Sequence, residues 1–275
     1  REIVRKTDPD TWVMPTLNEA MRANKPPLVH WITAGGILSS SSLEFGARWP
    51  NLLMGCLLLV AVYWLGTVVA DAQHGLVGAA VCASSLLFLK YVRQAQYDIP
   101  LALWVVLANT GFALVLFRGR WWGGCALAGV CIALGALAKG PPALLQTLAP
   151  LLCYIAWLGL TNLAGRADEA LAQDQPPLRD RWLAAIFGLV LLLLVALPWP
   201  TYVAARVPGI LKIWFGQSTV STEAQYDTRS RWYDYAGHLY FLFPWLAWFF
   251  VGAIVLVRNR HQPTTRRLWL VAFLA

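Results

Sequence analysis

Residues 50–70, PNLLMGCLLLVAVYWLGTVVA, contain no Asp, Glu, Lys or Arg. At a helical rise of about 1.5 Å per residue, about 20 apolar residues match the hydrocarbon thickness of a bilayer. Lipid offers backbone N–H and C=O groups no partner, so such a stretch must satisfy them internally as a helix. Six more uncharged stretches follow at approximately 74–89, 99–117, 121–138, 141–160, 183–200 and 239–257, and residues 268–275 begin an eighth. Composition agrees, with 58% of the 275 residues apolar, 13% charged and a mean hydropathy of +0.54. A soluble domain is about 45–50% apolar and about 25% charged. Halving the charge removes the polar shell that a water-facing surface needs, which excludes a globular cytosolic enzyme. The same hydrophobicity excludes disorder. The predicted class is an all-α polytopic membrane protein of about seven transmembrane helices.

The stretch 26–43 is also uncharged, but Gly35-Gly36 and the run Ser39 to Ser42 interrupt it, which predicts a short interfacial helix. The chain then divides into an outer-face loop with interfacial helices (1–49), transmembrane helices (50–200), a second outer-face loop (201–238) and further transmembrane helices cut short (239–275). Trp49, Trp121, Trp122, Trp182, Trp199 and Trp245 fall where an interfacial aromatic belt belongs. Alternating crossings put residues 1–48, 90–98, 139–140 and 201–238 on one face, and 71–73, 118–120, 161–182 and 258–267 on the other. The short loops of the second face carry Arg118, Arg120, Arg258, Arg260, Arg266 and Arg267, so the positive-inside rule makes it cytoplasmic. The first face nonetheless holds thirteen of the 22 lysines and arginines, a surplus that a bound anion would explain. The net charge of +8 comes with no basic run inside a soluble domain, so the expected anionic partners are bilayer lipids and lipid phosphates, and not nucleic acid. Cys56, Cys82, Cys125, Cys131 and Cys153 lie in apolar stretches without metal-site or disulfide spacing and read as small core residues. Arg1 is no initiator and Leu268 to Ala275 starts a helix without a cap, so the chain reads as an internal fragment.

Four features on the first face carry chemistry. Asn24-Lys25-Pro26-Pro27 places a lysine beside a helix N-terminus, where anions are favoured; a snorkelling lysine is the alternative. Asp98-Ile99-Pro100 places a carboxylate at the membrane boundary, a costly position unless paired or wet, with an N-cap of the following helix as its structural role. Lys139, in Ala138-Lys139-Gly140-Pro141-Pro142, is separated from Arg120 and from Arg166 by uncharged residues only. A cation so isolated expects a carboxylate such as Asp98, or a phosphate. Residues 201–238 hold Arg206, Lys212, Arg229 and Arg231 among aromatics that include Trp214, Phe215, Tyr226, Trp232, Tyr233 and Tyr235, a composition suited to phosphate and sugar rings and equally to interfacial anchoring. No Walker loop, dinucleotide fingerprint, His-Glu-x-x-His or nucleophile elbow occurs. The four histidines lack ligand spacing; His238 alone is worth attention, and His30, His74 and His261 read as interfacial or solvated.

The order of these motifs resembles the bacterial dolichyl-phosphate-mannose–protein mannosyltransferase-like family, which includes the aminoarabinose transferase of lipid A. Residues 12–31 are similar to the family's first outer loop. Arg48-Trp49-Pro50 is similar to its Arg-x-Pro entering a helix, Asp98-Ile99-Pro100-Leu101 to its boundary Asp, Ala138 to Pro141 to its Lys-Gly-Pro, and Leu197-Pro198-Trp199 to its Leu-Pro-Trp. The likeness runs from about residue 1 to about residue 257.

The resemblance implies a C-type membrane glycosyltransferase. Such an enzyme moves a sugar from a polyprenyl-phosphate carrier to a lipid or protein acceptor at the periplasmic face of the bacterial inner membrane. It implies that Lys25 contacts the lipid phosphate and that a catalytic acid precedes Arg1, with Asp8 and Asp10 fitting the pattern poorly. Asn24 and Gln217 stand where relatives hold a divalent metal through acidic residues, which argues against a metal. The expected site is Asp98 as the catalytic acid group, with Lys25, Lys139, Arg229 and Arg231 binding the substrate phosphate. A transporter or flippase of an anionic lipid or sugar phosphate, and a non-catalytic subunit, would use the same cations without bond breaking.

Overall fold

The computed structural model describes residues 10–14, 16–17, 20–21, 25–162, 175–210, 212, 214, 243–259 and 262–274. Its helices in chain order are α1 Asp10–Val13, α2 Leu28–Leu38, α3 Leu43–Val69, α4 Ala72–Ser84, α5 Leu86–Tyr91, α6 Asp98–Arg118 and α7 Trp121–Lys139, then α8 Pro141–Asn162, α9 Leu178–Ala196, α10 Pro198–Arg206, α11 Leu246–Arg258 and α12 Pro263–Leu274. A minimal antiparallel ladder pairs Thr16 with Met21 and Leu17 with Ala20. The architecture is otherwise helical.

Five helical stretches among the described residues are long and apolar enough to cross a membrane: Leu43–Val69, Asp98–Arg118, Trp121–Lys139, Pro141–Leu160 and Leu178–Arg206. Two expected crossings differ. The stretch 74–89 is broken at Ser85, whose extended backbone ends α4 and whose Oγ accepts the Phe88 N–H to cap α5. The two short helices still traverse the bundle together. Asn51, near the start of α3, donates from Nδ2 to the carbonyls of Tyr91 at 3.0 Å and Gln94 at 2.6 Å, which holds the end of α5 beside the start of α3. Within 239–257 the described helix is α11, of 13 residues, anchored where the Trp245 indole donates to Ser84 Oγ.

The first long helix also starts earlier than Pro50. Ser42 accepts the Phe45 N–H, Glu44 sits in the first turn, and Pro50 is accommodated inside the helix. Arg48 therefore lies within α3 and does not precede it. The stretch 26–43 yields α2, 11 residues long and too short to cross a bilayer.

Buried α6 is the centre of the bundle, packed antiparallel to α7 and flanked by α3. Without a hydrophobic drive between helices in lipid, close backbone approach has to hold them together, and small residues permit it. A Cβ on Gly124 would lie 2.6 Å from the Gly111 carbonyl of α6, and one on Gly129 would collide with the Gly188 carbonyl of α9. On the other side α9 shows Ile186, Phe187, Leu189 and Val190 outward, a surface suited to lipid. At the far end of the bundle from Asp98, Leu65, Val68, Phe117, Tyr154 and Leu270 form an apolar cluster. There the Arg118 guanidinium caps α3, donating to the Val68 and Thr67 carbonyls at 3.1 and 3.0 Å. Asp71 caps α4 by accepting the Gln73 and His74 N–H groups, and these bonds with the His74 ring hold its carboxyl below the usual range. The cysteines are unpaired, but only Cys131 is buried; Cys56 and Cys153 face outward, which corrects their reading as core residues.

Candidate functional site

Asp98 opens α6 and Lys139 closes α7, so the antiparallel pairing of these helices brings residues 41 apart in sequence to the same end. The Lys139 ammonium donates to Asp98 Oδ1 at 2.6 Å. The site thus contains the carboxylate partner that the isolated lysine required. It also corrects the helix-cap role of Asp98. The helix starts at Asp98 itself, Tyr97 takes the capping position without a side-chain bond, and the carboxylate turns to the lysine. Both charges suit their places, an acid in a first turn and a base in a last turn. The side chains keep 42% and 32% of their surface open, so the pair borders solvent or ligand and is not sealed in the core.

Gly140 follows Lys139 with φ of +81°, a conformation that a side chain resists, and it redirects the chain into Pro141 and α8. A Cβ placed on this glycine would meet Pro26 Cγ at 3.8 Å. The Lys25-Pro26-Pro27 loop therefore lies against the Lys139-Gly140-Pro141 turn, and Pro27 is fully buried there. Lys25 is half-buried, three residues before α2, and makes no ion pair among the described residues. From the next turn of α2, His30 shares a 3.1 Å hydrogen bond with the Tyr97 hydroxyl, immediately before Asp98. Three segments distant in sequence thus meet at one end: residues 25–30, 97–98 and 139–141.

Supporting residues escape a reading of the sequence. Asn51 fastens the loop that leads to Asp98; its signal is a lone amide at the start of an apolar run. His30, which has no ligand spacing in the sequence, meets the Tyr97 ring edge-on. The indoles of Trp31 and Trp199 donate to the carbonyls of Trp12 at 2.6 Å and Val13 at 2.9 Å, fixing α1 over this end from two sides. Trp199 also stacks on Trp214 at 5.5 Å, and the Arg206 guanidinium lies 5.2 Å above the Tyr202 ring. Arg229, Arg231, Asn24, Gln217, His238 and Asp8 lie outside the described residues, as does the side chain of Asp10.

The fold and this end of it define a class: an integral membrane helix bundle presenting a carboxylate and two lysines at one membrane boundary. Residues 24–166 match the family described as dolichyl-phosphate-mannose-protein mannosyltransferase, and the chain belongs to that family. It is 23% identical over 253 residues to the undecaprenyl phosphate-alpha-4-amino-4-deoxy-L-arabinose arabinosyl transferase of Yersinia pestis (strain Pestoides F), covering 90% of this chain and 42% of the relative. An uncharacterized protein of Aquifex aeolicus is 25% identical over 134 residues, 47% of this chain and 26% of that protein. Among solved structures, ArnT from Cupriavidus metallidurans bound to undecaprenyl phosphate superposes with a TM-score of 0.71 at 20% identity, covering 99% of this chain and 48% of that one. The apo form gives the same TM-score at 19% identity. The chain spans about half the length of the relatives it matches.

Proposed function

We propose that this chain is the catalytic membrane portion of a glycosyltransferase that moves a sugar from a polyprenyl-phosphate carrier to a lipid or protein acceptor. The observation that carries this is the convergence of Lys25, Asp98 and Lys139 at one end of the bundle. The family and the arabinosyl transferase likeness support a bacterial inner-membrane enzyme, a pentose such as an aminoarabinose as the sugar, and lipid A as an acceptor. The excess of short basic loops at the Arg118 end supports a periplasmic site.

In the reaction the acceptor's oxygen or nitrogen attacks the anomeric carbon, and the bond from that carbon to the phosphate oxygen breaks. The electron pair leaves on the polyprenyl phosphate, and the acceptor's proton passes to a carboxylate. Negative charge grows on the phosphate, and fixed cations at that position lower the barrier because they need no rearrangement. Lys25 and Lys139 fill this role, with Arg229 and Arg231 as further phosphate contacts. Asp98 holds the Lys139 ammonium in place and orients the acceptor. The polyprenyl tail lies along the apolar helices, which is why the charges sit at the membrane boundary.

The test is binding and transfer by the full-length protein. Undecaprenyl phosphate should bind, and Lys25→Ala should weaken that binding by about tenfold or more, the scale of a charge-assisted contact. Labelled undecaprenyl-phosphate sugar should yield labelled acceptor. Movement of the labelled lipid across the membrane with no acceptor labelled would replace this proposal with a transporter.

A further inference from the structure

Arg266 is a buried cation at the end of the bundle opposite Lys139. It lies in the first turns of α12, retains 4% of its surface, and its Nη1 has no hydrogen-bond partner among the described residues. The Tyr154 hydroxyl, on a fully buried side chain of α8, and the Trp269 indole nitrogen of α12 share that condition. The three belong to one cluster. Tyr154 stacks on Trp157 at 5.9 Å, Trp157 stacks on Trp269 at 5.6 Å, and Arg266 and Arg267 both bear electrostatically on the Tyr154 hydroxyl. The Arg267 guanidinium covers Phe117, which meets Tyr154 edge-on. Hydrogen-bond donors and positive charge are thus gathered where the described residues supply no acid. A buried guanidinium without a counter-charge is costly enough to require one.

We propose that this cluster binds the phosphate of an anionic phospholipid in the leaflet opposite the Asp98–Lys139 site. The forked guanidinium and the neighbouring hydroxyl and indole donors suit a tetrahedral phosphate. Two surroundings favour a lipid over a free ion. Ile155 and Leu160 of α8 expose apolar surface along which acyl chains can run, and Arg118, Arg120 and Arg258 mark this end as the one facing anionic headgroups.

The experiment uses the full-length protein in nanodiscs of phosphatidylcholine with and without phosphatidylglycerol, with retained lipid counted by native mass spectrometry. Wild type should retain phosphatidylglycerol over phosphatidylcholine by roughly tenfold, the scale of one buried charge contact. Arg266→Gln should bring the two lipids to parity, Arg266→Lys should keep part of the preference, and Tyr154→Phe should reduce it a few-fold. Should Arg266→Gln fail to fold, Tyr154→Phe and Arg266→Lys measured against wild type still decide. A second arm heats the lipid-free detergent-solubilised protein with inorganic phosphate or phosphatidylglycerol. Equal protection by inorganic phosphate would make this a free-anion site and overturn the lipid. An unchanged preference in the variants would place the lipid selectivity elsewhere, and no preference in wild type would mean that Arg266 holds no headgroup; either would end the proposal.

Discussion

Consider removal of the charge at Lys139, by Lys139→Met, alone and together with Asp98→Asn. At the observed 2.6 Å, two unit charges in an effective dielectric of about 20 attract by about 6 kcal/mol. That is an upper limit. With 32% and 42% of the side chains open, solvent screening reduces the pair toward about 1 kcal/mol. Helix-end dipoles add a few tenths to about 1 kcal/mol for each charge. Each single variant should therefore lose only about 1–2 kcal/mol, little against the roughly 5–15 kcal/mol that keeps a protein folded. The double variant should recover part of the loss, because no charge is left without a partner. Transfer should behave differently. Losing one fixed cation at a developing negative charge costs roughly 100- to 1,000-fold in rate, or about 3–4 kcal/mol. Both single turnover with labelled undecaprenyl-phosphate sugar and thermal melting of the same full-length preparations are needed. The signature is stability regained in the double variant while transfer stays lost. Recovery of transfer in that variant would show that the pair is only a helix clamp, and refute the assignment of Lys139 to the phosphate.

Asn51→Leu should strip the Tyr91 and Gln94 carbonyls of their donor, cost about 1–3 kcal/mol in melting, and lower transfer with little change in undecaprenyl phosphate binding. Gly129→Val must push α7 from α9 and should destabilise by about 1–3 kcal/mol, whereas Gly123→Val, with open space around it, should be neutral in the same melts. Asp71 has a folded-state carboxyl held low, so its stabilising effect is present above the ordinary carboxylate range and fades as pH falls through its own lower value. Asp71→Asn keeps a good cap, so it should melt like wild type at neutral pH and lose less stability than wild type below about pH 4.

The membrane-spanning character was legible because uncharged runs of spanning length have one structural solution in lipid. Their ends were less so. Pro50 suggests a helix start, yet Ser42 and Glu44, eight and six residues earlier, provide better start chemistry, and a proline early in a long helix is tolerated when neighbours satisfy the freed carbonyl. The break at Ser85 was written in the Ser84-Ser85 pair, but hydropathy averages over two hydroxyls. Lys139 was legible because it stands alone in apolar surroundings, and Asp98 because a carboxylate at the membrane boundary is costly unless paired or wet, so each needs the other or a ligand. The packing of Pro26 on Gly140 was not legible. It depends on the tertiary path of two turns, and neither residue carries a charge or a period that announces a contact.

The two lysines differ in what the protein itself supplies to them. Lys139 has Asp98 at 2.6 Å and the negative end of α7 beneath it, so its charge is compensated before any ligand arrives. Lys25 has neither. It precedes the positive end of α2 and has no ion pair among the described residues, so an anion bound beside it gains from the lysine and the helix end together. A resting phosphate should accordingly draw most of its affinity from Lys25. Lys139 can turn to the phosphate only by sharing its ammonium with Asp98, an exchange that becomes favourable as charge builds on the leaving group. Lys25→Ala should therefore raise KM for the lipid-linked sugar more than it lowers kcat, and Lys139→Met should do the reverse. Equal effects of both variants on KM, with kcat untouched, would mean that the two lysines only bind the carrier and that the bond is broken by groups elsewhere.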